Sequence, residues 1–508
     1  MAKVLFLYPN LRAESLIPPC ITLLSRLLKD RGHTVDLFDS TNYDIPLEFH
    51  RVDTDKMKEQ NLNVRPTDSW KRERKKGDVF HDFESKVEEF SPDLIAVTVT
   101  EATFMVGITL MKSIKQYDIR NIWGGVFPTF APMRAIGFPE VEMLCVGEGE
   151  NCLTDLCELI DKKQDYSKVT NLWFKKPGGE IIKNAITKPV DINELPTNLD
   201  VGLFLEREPD RSIRPMGGKL YRMLPVETHR GCPYTCAFCN SPSQNVLYAE
   251  QTQSSFFRKK RVDRIRQELL YYRDNWGVQY NFMWADTFFA WTPQEMAEFA
   301  EMYQDIKLPF WCQTRPETVK RDILEMLKGV GLDRISYGIE HGNLKFRREV
   351  VNRRYPDEVI AQAGNITREL SIPFNGNNII GYPTETRALS FETIELNRKI
   401  PTDTMSCSIF QPYYGTPLRD LAVKHGFMDK DFICPSNSDD TVLKMPGYSS
   451  EEIRGLRRCF AMYTRFPKDR WPEIKEAEKM TPEGDKKWEA LRDEFMETFY
   501  GKKPESEF

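Results

Sequence analysis

One short segment constrains this chain more than any other: Arg230 to Asn240, which holds Cys232, Cys236 and Cys239 in a Cys-x3-Cys-x2-Cys spacing. Three thiols from one turn are three soft ligands with no fourth beside them, a set suited to zinc or to an iron–sulfur cluster. Structural zinc takes four ligands, and no Cys or His follows at knuckle spacing. Iron–sulfur clusters also normally take four cysteines. A three-cysteine loop therefore leaves one iron open, where a substrate or cosubstrate can chelate.

The rest of the composition narrows the setting. With 71 basic and 76 acidic residues the net charge is −5, so no broad basic field argues for nucleic acid. No stretch approaches 18 uninterrupted apolar residues, and Lys3 to Tyr8 reads as a strand rather than a signal peptide. The other eight cysteines are scattered, with no secreted disulfide framework. Cys152 and Cys157 fall on an apolar helical pattern, where buried structural thiols are expected. These features predict a cytoplasmic, oxygen-sensitive protein without a membrane span.

Residues 1 to 160 alternate strand and helix. Strands are expected at 3–8, 35–38, 93–100, 121–125 and 143–146, with a helix at 19–29 closed by Gly32 and His33 as a surface cap residue. That alternation means a parallel sheet wound on both faces, and such sheets bind ligands beyond the carboxyl ends of their strands. The loops there carry Pro9, Asn10, Thr98, Thr100, Gly124, Gly125, Thr129, Gly147, Glu148 and Gly149. Glycines let backbone approach a large flat ligand, and threonines offer hydroxyls. No G-x-G-x-x-G follows the first strand, which disfavours a dinucleotide. Residues 41 to 90 read as a solvated, charged insertion with a helix near 80–90.

Residues 161 to 225, with Pro189, Pro196 and Pro209, read as a linker. From Val226 to about 420 there are again strand–loop–helix units, about six of them, too few for an eight-fold barrel. An open, partial (β/α)6 barrel is expected. The last part, 421–508, reads as a helical C-terminal cap, starting with an N-capped helix after Tyr448. Tyr413 and Tyr414 either line a substrate pocket or pack this cap. The chain as a whole is predicted to be α/β.

Gly231-Cys232-Pro233 before the loop, and Phe238 before its last cysteine, give it a close resemblance to the cluster loop of the radical S-adenosylmethionine (SAM) superfamily. That resemblance implies a 4Fe-4S cluster on Cys232, Cys236 and Cys239, with SAM on the open iron. Phe238 resembles the residue whose backbone meets the adenine. Glu340, in Tyr337 to Gly342, resembles the fourth-strand acid for the ribose, and Arg353 follows where related cores place an arginine on the SAM carboxylate. Gly381, in Ile379 to Glu385, resembles the fifth-strand motif behind the adenine. Asp286 lies where many members carry Asp-x-x-Phe. Each has a plainer reading: strand-end acids cap helices, Arg353 beside Arg354 is a solvated pair, and His229 and His341 are hydrogen-bonded structural residues.

Ahead of such a core, the first domain resembles the Rossmann-like cobalamin-binding domain of cobalamin-dependent radical SAM enzymes. Gly124-Gly125, Pro128-Thr129 and Gly147 to Glu150 carry the likeness. The Asp-x-His-x-x-Gly motif of other cobalamin proteins is missing, which implies cobalamin held without a histidine lower ligand. The layout is similar to the branch containing anaerobic magnesium-protoporphyrin ester cyclases and several methylases.

Three functions follow as expectations. The first is a C-methyltransferase acting on an unactivated carbon of a small molecule through a 5′-deoxyadenosyl radical and methylcobalamin. The second is a cobalamin-using oxidative cyclase or rearrangement enzyme. The third is a non-enzymatic sensor, disfavoured by the complete SAM-like constellation. The enzymatic readings imply a small-molecule substrate and a low-potential electron donor such as flavodoxin or ferredoxin, with no nucleic acid.

Overall fold

The computed structural model describes residues 1–11, 16–45, 57, 59–63 and 75–501. The charged run at 71–74 lies outside the described residues, and the helix expected beside it is Val79–Phe90.

The first sheet holds β1 (Lys3–Tyr8), β2 (Thr34–Asp39), β3 (Leu94–Thr98), β4 (Asn121–Gly124), β5 (Met143–Cys145), β6 (Leu172–Lys175) and β7 (Ile181–Lys183). Their spatial order is β2-β1-β3-β4-β5-β6-β7, parallel through β5 and antiparallel beyond it. Val4, Leu5, Phe6 and Leu7 in β1 are all fully buried, as a central strand covered on both faces requires. Each contributes about 1.5–3 kcal/mol relative to exposure. The order reverses between β1 and β3, which makes their carboxyl ends the crevice of this sheet.

The second sheet is built on β8 (Ile213–Met216) and β9 (Lys219–Glu227). After β9 comes a two-strand ladder of β10 (His229–Arg230) and β11 (Arg258–Lys259). The sheet continues with β12 (Tyr280–Trp284), β13 (Phe310–Thr314), β14 (Leu332–Glu340), β15 (Phe374–Ile380) and β16 (Thr404–Ile409). Its order is β16-β15-β14-β13-β12-β9-β8. Six of these strands run parallel, and β8 alone is antiparallel. This is the curled partial barrel that six units can form. Its helix-covered face packs Cys312, Ile335, Tyr337 and Phe374 into the core. Alternate residues, among them Trp284, Trp311, Asn375, Asn377 and Ser406, remain on the concave side, half-buried or exposed.

The segment 161–225 is shared between the sheets: its first hairpin extends the edge at β5, and its end starts the second sheet. Short strands find stable partners only at an existing edge. The last strand, β16, is an edge covered by the helix Ser450–Arg465, whose Arg457 donates to the Cys407 carbonyl at 3.1 Å. Ser449 and Glu452 form a reciprocal capping box at its start. Further helices at Trp471–Ala477 and Pro482–Tyr500 complete the C-terminal layer.

The stretch 161–225, expected as a linker, thus supplies strands to both sheets; the expectation for His33 also changes, and the alternative left open for Tyr413 and Tyr414 is decided. His33 is buried rather than a surface cap, and its Nδ1 accepts the Ala2 amide at 3.3 Å, because the turn after the first helix tucks under β1. Tyr413 and Tyr414 pack the cap. The Tyr413 hydroxyl donates to the Pro435 carbonyl at 3.0 Å, and the Arg419 guanidinium lies 3.5 Å over the Tyr414 ring.

Candidate functional site

The cysteine loop leaves β10 at the carboxyl end of β9. Gly231 has φ +83°, so the chain turns into the loop through a conformation that side chains disfavour. Asn245 donates to the Cys232 carbonyl at 2.7 Å, the Ala237 amide donates to the Val351 carbonyl at 3.0 Å, and the Leu418 amide donates to the Ala237 carbonyl at 3.2 Å. The loop is therefore pinned on three sides before any ligand arrives. Its thiols lie near one another: Cys236 acts electrostatically on both other thiols, and burial pushes Cys239 up to about 12 and raises Cys232. Thiols held protonated in this way need a cation beside them to become ligands. No three of the described His, Cys, Asp and Glu side chains converge on a position for a single ion. Three thiols from one loop, with no fourth ligand beside them, suit an iron–sulfur cluster better than zinc.

Two arginines reach Cys236. Arg353 Nε donates to its sulfur at 3.3 Å, and Arg315 Nη1 does so at 2.9 Å. Arg353 also pairs with Glu340 at 3.1 Å and donates to the Tyr355 hydroxyl at 3.1 Å and to the Gly338 carbonyl, while stacking 5.5 Å from the Phe238 ring. Phe238, Glu340 and Arg353, picked from distant motifs, thus come together at Cys236. Glu340 is buried with φ +66°, and burial raises its carboxyl against the pull of Arg353 and Arg315. Asp286 acts electrostatically on Cys232 and Cys239 from the other side. Its carboxyl has a large accessible area yet is raised by the protein around it, the condition of a side chain inside a concave mouth. Gly381 stands apart. Its φ is +79°, and an added Cβ would come 3.2 Å from Ile453 of the C-terminal layer.

Arg315 was missed in the sequence. It directly follows β13, and its position just past a strand's carboxyl end was the signal available. It lies 4.0 Å over the Tyr234 ring and is held by Glu317. His229 and His341 are both enclosed: Trp291 donates to His229 Nδ1 at 3.2 Å, and Asn343 donates to His341 Nδ1 at 3.1 Å.

At the carboxyl end of the first sheet lies a cavity of about 250 Å³. Thr98, Gly124, Gly125, Gly147, Glu148 and Gly149 line it, with apolar walls from Leu23, Leu24, Leu153 and the connecting residues Leu195 and Leu199. At Gly125 (φ +119°) a Cβ would run into the Val99 carbonyl, and at Gly147 (φ +93°) it would stand 2.6 Å from the Tyr248 hydroxyl. Pro9, Asn10, Thr100 and Thr129 are not in this lining. Pro9 packs toward Gly107, Asn10 donates to Thr41, and Thr100 caps the helix Glu101–Ser113. Thr129 ties the loops together, accepting the Gly147 amide at 3.1 Å and donating to the Gly125 carbonyl at 2.9 Å. The room suits one planar, largely apolar part of a cobalamin rather than the whole molecule, and no histidine lines it.

Arg230 joins the two places. It lines the cavity, stands two residues before Cys232, and pairs with Glu148 at 2.8 Å, Glu150 at 2.6 Å and Glu227 at 3.0 Å. Burial pushes the Glu148 carboxyl up, but Arg258 and Arg230 outweigh it and hold it below its usual range.

Residues 226–395 match the family model described as the radical SAM superfamily. They form a radical SAM domain. Around this domain, the whole chain has the fold of cobalamin-dependent radical SAM enzymes. The structure of OxsB, solved with aqua-cobalamin and SAM bound, superposes with a TM-score of 0.63 at 16% identity, covering 99% of this chain and 72% of that one. The methyltransferase TsrM from Kitasatospora setae, solved with tryptophan and a SAM analogue, gives 0.60 at 15% identity over 84% and 77%. In sequence, the chain is 24% identical over 401 residues to a protein of Pyrococcus horikoshii named as an uncharacterised methyltransferase, covering 77% of this chain and 82% of that one. It is 26% identical over 374 residues to the anaerobic magnesium-protoporphyrin IX monomethyl ester cyclase of Cereibacter sphaeroides, spanning 69% of this chain and 57% of the cyclase. Among the described residues, no helix is long and apolar enough to cross a membrane.

Proposed function

We propose that the protein is a cobalamin-dependent radical SAM methyltransferase that methylates an unactivated carbon of a small molecule in a reducing, cytoplasmic setting. In this reading residues 1–160 hold cobalamin, 161–225 connect, 226–420 form the radical core and 421–508 cap it. The observation that carries it is the Arg230 junction: the first sheet's cavity and the thiol loop share a partly buried arginine, so two bound cofactors would face a common space. When bound, the cluster supplies the electron that cleaves SAM, and cobalamin carries the methyl group.

The chain's own residues would orient and shield. Cys232, Cys236 and Cys239 hold the cluster. Arg353 and Arg315 offer guanidinium donors for a carboxylate beside it, a pairing that favours arginine. Glu340 offers a carboxylate for paired hydroxyls, Phe238 bounds the adenine space, and Asp286 faces the cluster from the barrel mouth. Thr98, Gly124, Gly125, Gly147, Glu148 and Gly149 take the cobalamin. The concave wall supports a small substrate: Phe282 stacks on Trp311 at 4.2 Å on one side, and Asn375, Asn377 and Ser406 form a hydrogen-bonded amide face on the other. The cyclase relative supports a second reading, an oxidative cyclase that transfers no methyl.

Anaerobic turnover with methyl-deuterated SAM, cobalamin and an extract of the native host separates them. The expected result is substrate-dependent S-adenosylhomocysteine together with 5′-deoxyadenosine, and deuterium in a new extract species. 5′-Deoxyadenosine without label transfer assigns the second reading.

A further inference from the structure

A radical SAM domain needs an electron delivered from outside, and a basic groove of this molecule lies against the thiol loop. Beside the thiol loop lies a groove lined by Lys345, Arg348, Arg354 and His425, against a single acid, Glu349. All four are exposed, on a chain whose net charge is −5. Among the described residues no ion pair neutralises Lys345, Arg348 or Arg354, whereas most of the described arginines are paired with carboxylates. Three unpaired cations on one face repel one another and cost stability unless something anionic meets them.

The groove also reaches the cluster loop. Ala237, the residue after Cys236, lines it. The loop is clamped to the groove's floor: Asn352 donates to the Thr235 carbonyl at 2.6 Å and lies 3.0 Å from its hydroxyl, and the Ala237 amide donates to the Val351 carbonyl. One residue of backbone therefore separates a cluster-ligating sulfur from a basic, solvent-facing surface. The first sheet's cavity opens elsewhere, on Arg230 and Glu148, so the groove is not part of the cofactor space.

We propose that this groove is the docking surface for a small acidic one-electron donor protein, seated on Lys345, Arg348 and Arg354 over Ala237. The inference rests on the radical SAM reading above. Such encounters are weak and brief, steered by rim charge, and their rates fall steeply with salt. The step is a single electron passing from the reduced donor to the oxidised cluster, with no bond made or broken.

The test uses the cluster-loaded full chain and an acidic flavodoxin in its hydroquinone state. Carbodiimide crosslinking, followed by peptide mapping, should join flavodoxin carboxylates to Lys345. Crosslinks that map only to other faces overturn the proposal. In stopped flow, the triple variant Lys345→Glu, Arg348→Glu, Arg354→Glu should bleach its cluster with flavodoxin about ten-fold or more slowly than wild type, with the salt dependence reduced. SAM cleavage driven by dithionite, which needs no docking, should stay within about two-fold. An unchanged flavodoxin rate overturns the docking surface. If wild type with dithionite cleaves no SAM, the radical SAM reading fails instead, and the two failures are distinguished. Neutral Lys345→Gln with Arg348→Gln guards against misfolding of the charge reversal: it should slow flavodoxin reduction in the same direction, and equal rates would count against the proposal.

Discussion

The thiol loop and the first sheet's cavity are two halves of one junction, yet they are made in opposite ways. At the loop, the proposed chemistry resides in side chains: three sulfurs, two arginines and two acids. At the cavity it resides in shape. Glycines at positive φ, apolar walls from helices far apart in sequence, and two leucines of the connecting segment leave a space, and the polar groups mainly hold the loops in place. A site built from residue types tolerates backbone adjustment but no substitution. A site built from shape tolerates many substitutions but no intrusion.

The sharpest break in that comparison is Cys236→Ala. Iron content and SAM cleavage should be abolished while cobalamin remains bound, read by anaerobic absorbance and product analysis. Normal 5′-deoxyadenosine formation would refute the cluster assignment. Next comes Arg230→Gln, at the seam. Three carboxylates would lose their shared cation, and removing one partner of a buried ion network costs about 3–5 kcal/mol. A marked fall in thermal stability with loss of cobalamin retention is expected. A variant that melts like wild type would mean that the seam does not couple the halves.

The two halves should also respond to pH with opposite sign. Glu101, at the start of a first-domain helix, accepts the Tyr414 and Cys434 amides at 2.7 Å each, and burial raises it to about 7. The folded protein therefore binds this proton more tightly than the unfolded chain, so its contribution is full below the unfolded value and declines as pH rises toward about 7. His229, at the second sheet, is lowered by burial to about 3. Its contribution is full above the ordinary histidine value and is lost as pH falls toward about 3. Each slope is about 1.4 kcal/mol per pH unit. Between pH 5 and 6.5, wild type should lose stability relative to Glu101→Gln as pH rises and gain it relative to His229→Gln, measured by thermal melts. Parallel slopes would refute the contrast. Smallest is Gly147→Ala, where positive φ and the approach to Tyr248 should cost about 1–2 kcal/mol. It should weaken cobalamin binding without touching cluster assembly, and equal loss of both would erase the distinction.

Some of this was legible because the information is local. Cysteine spacing is fixed by chain connectivity, strand–helix alternation by periodicity, and Ser449 with Glu452 by capping chemistry, so the loop, both sheets and the final helices could be read in order. The cavity was only half legible. Every carboxyl-end loop is near the ligand in principle, and the sequence cannot say that Pro9, Asn10, Thr100 and Thr129 spend their groups on Gly107, Thr41, a helix end and neighbouring loops. Arg315 went unread because a strand-end arginine has no motif, and His33 because a turn's burial depends on what crosses above it.

By itself, then, the sequence determined the cluster loop and the α/β alternation, since both rest on residue type and short-range period. Only the tertiary structure decided that Arg353, Glu340 and Phe238 meet at Cys236 beside Arg315. It alone decided that the connecting segment divides between the two sheets, and that one arginine joins cavity to cluster loop. Those facts depend on contacts between residues tens to hundreds of positions apart, which packing selects and no local pattern encodes.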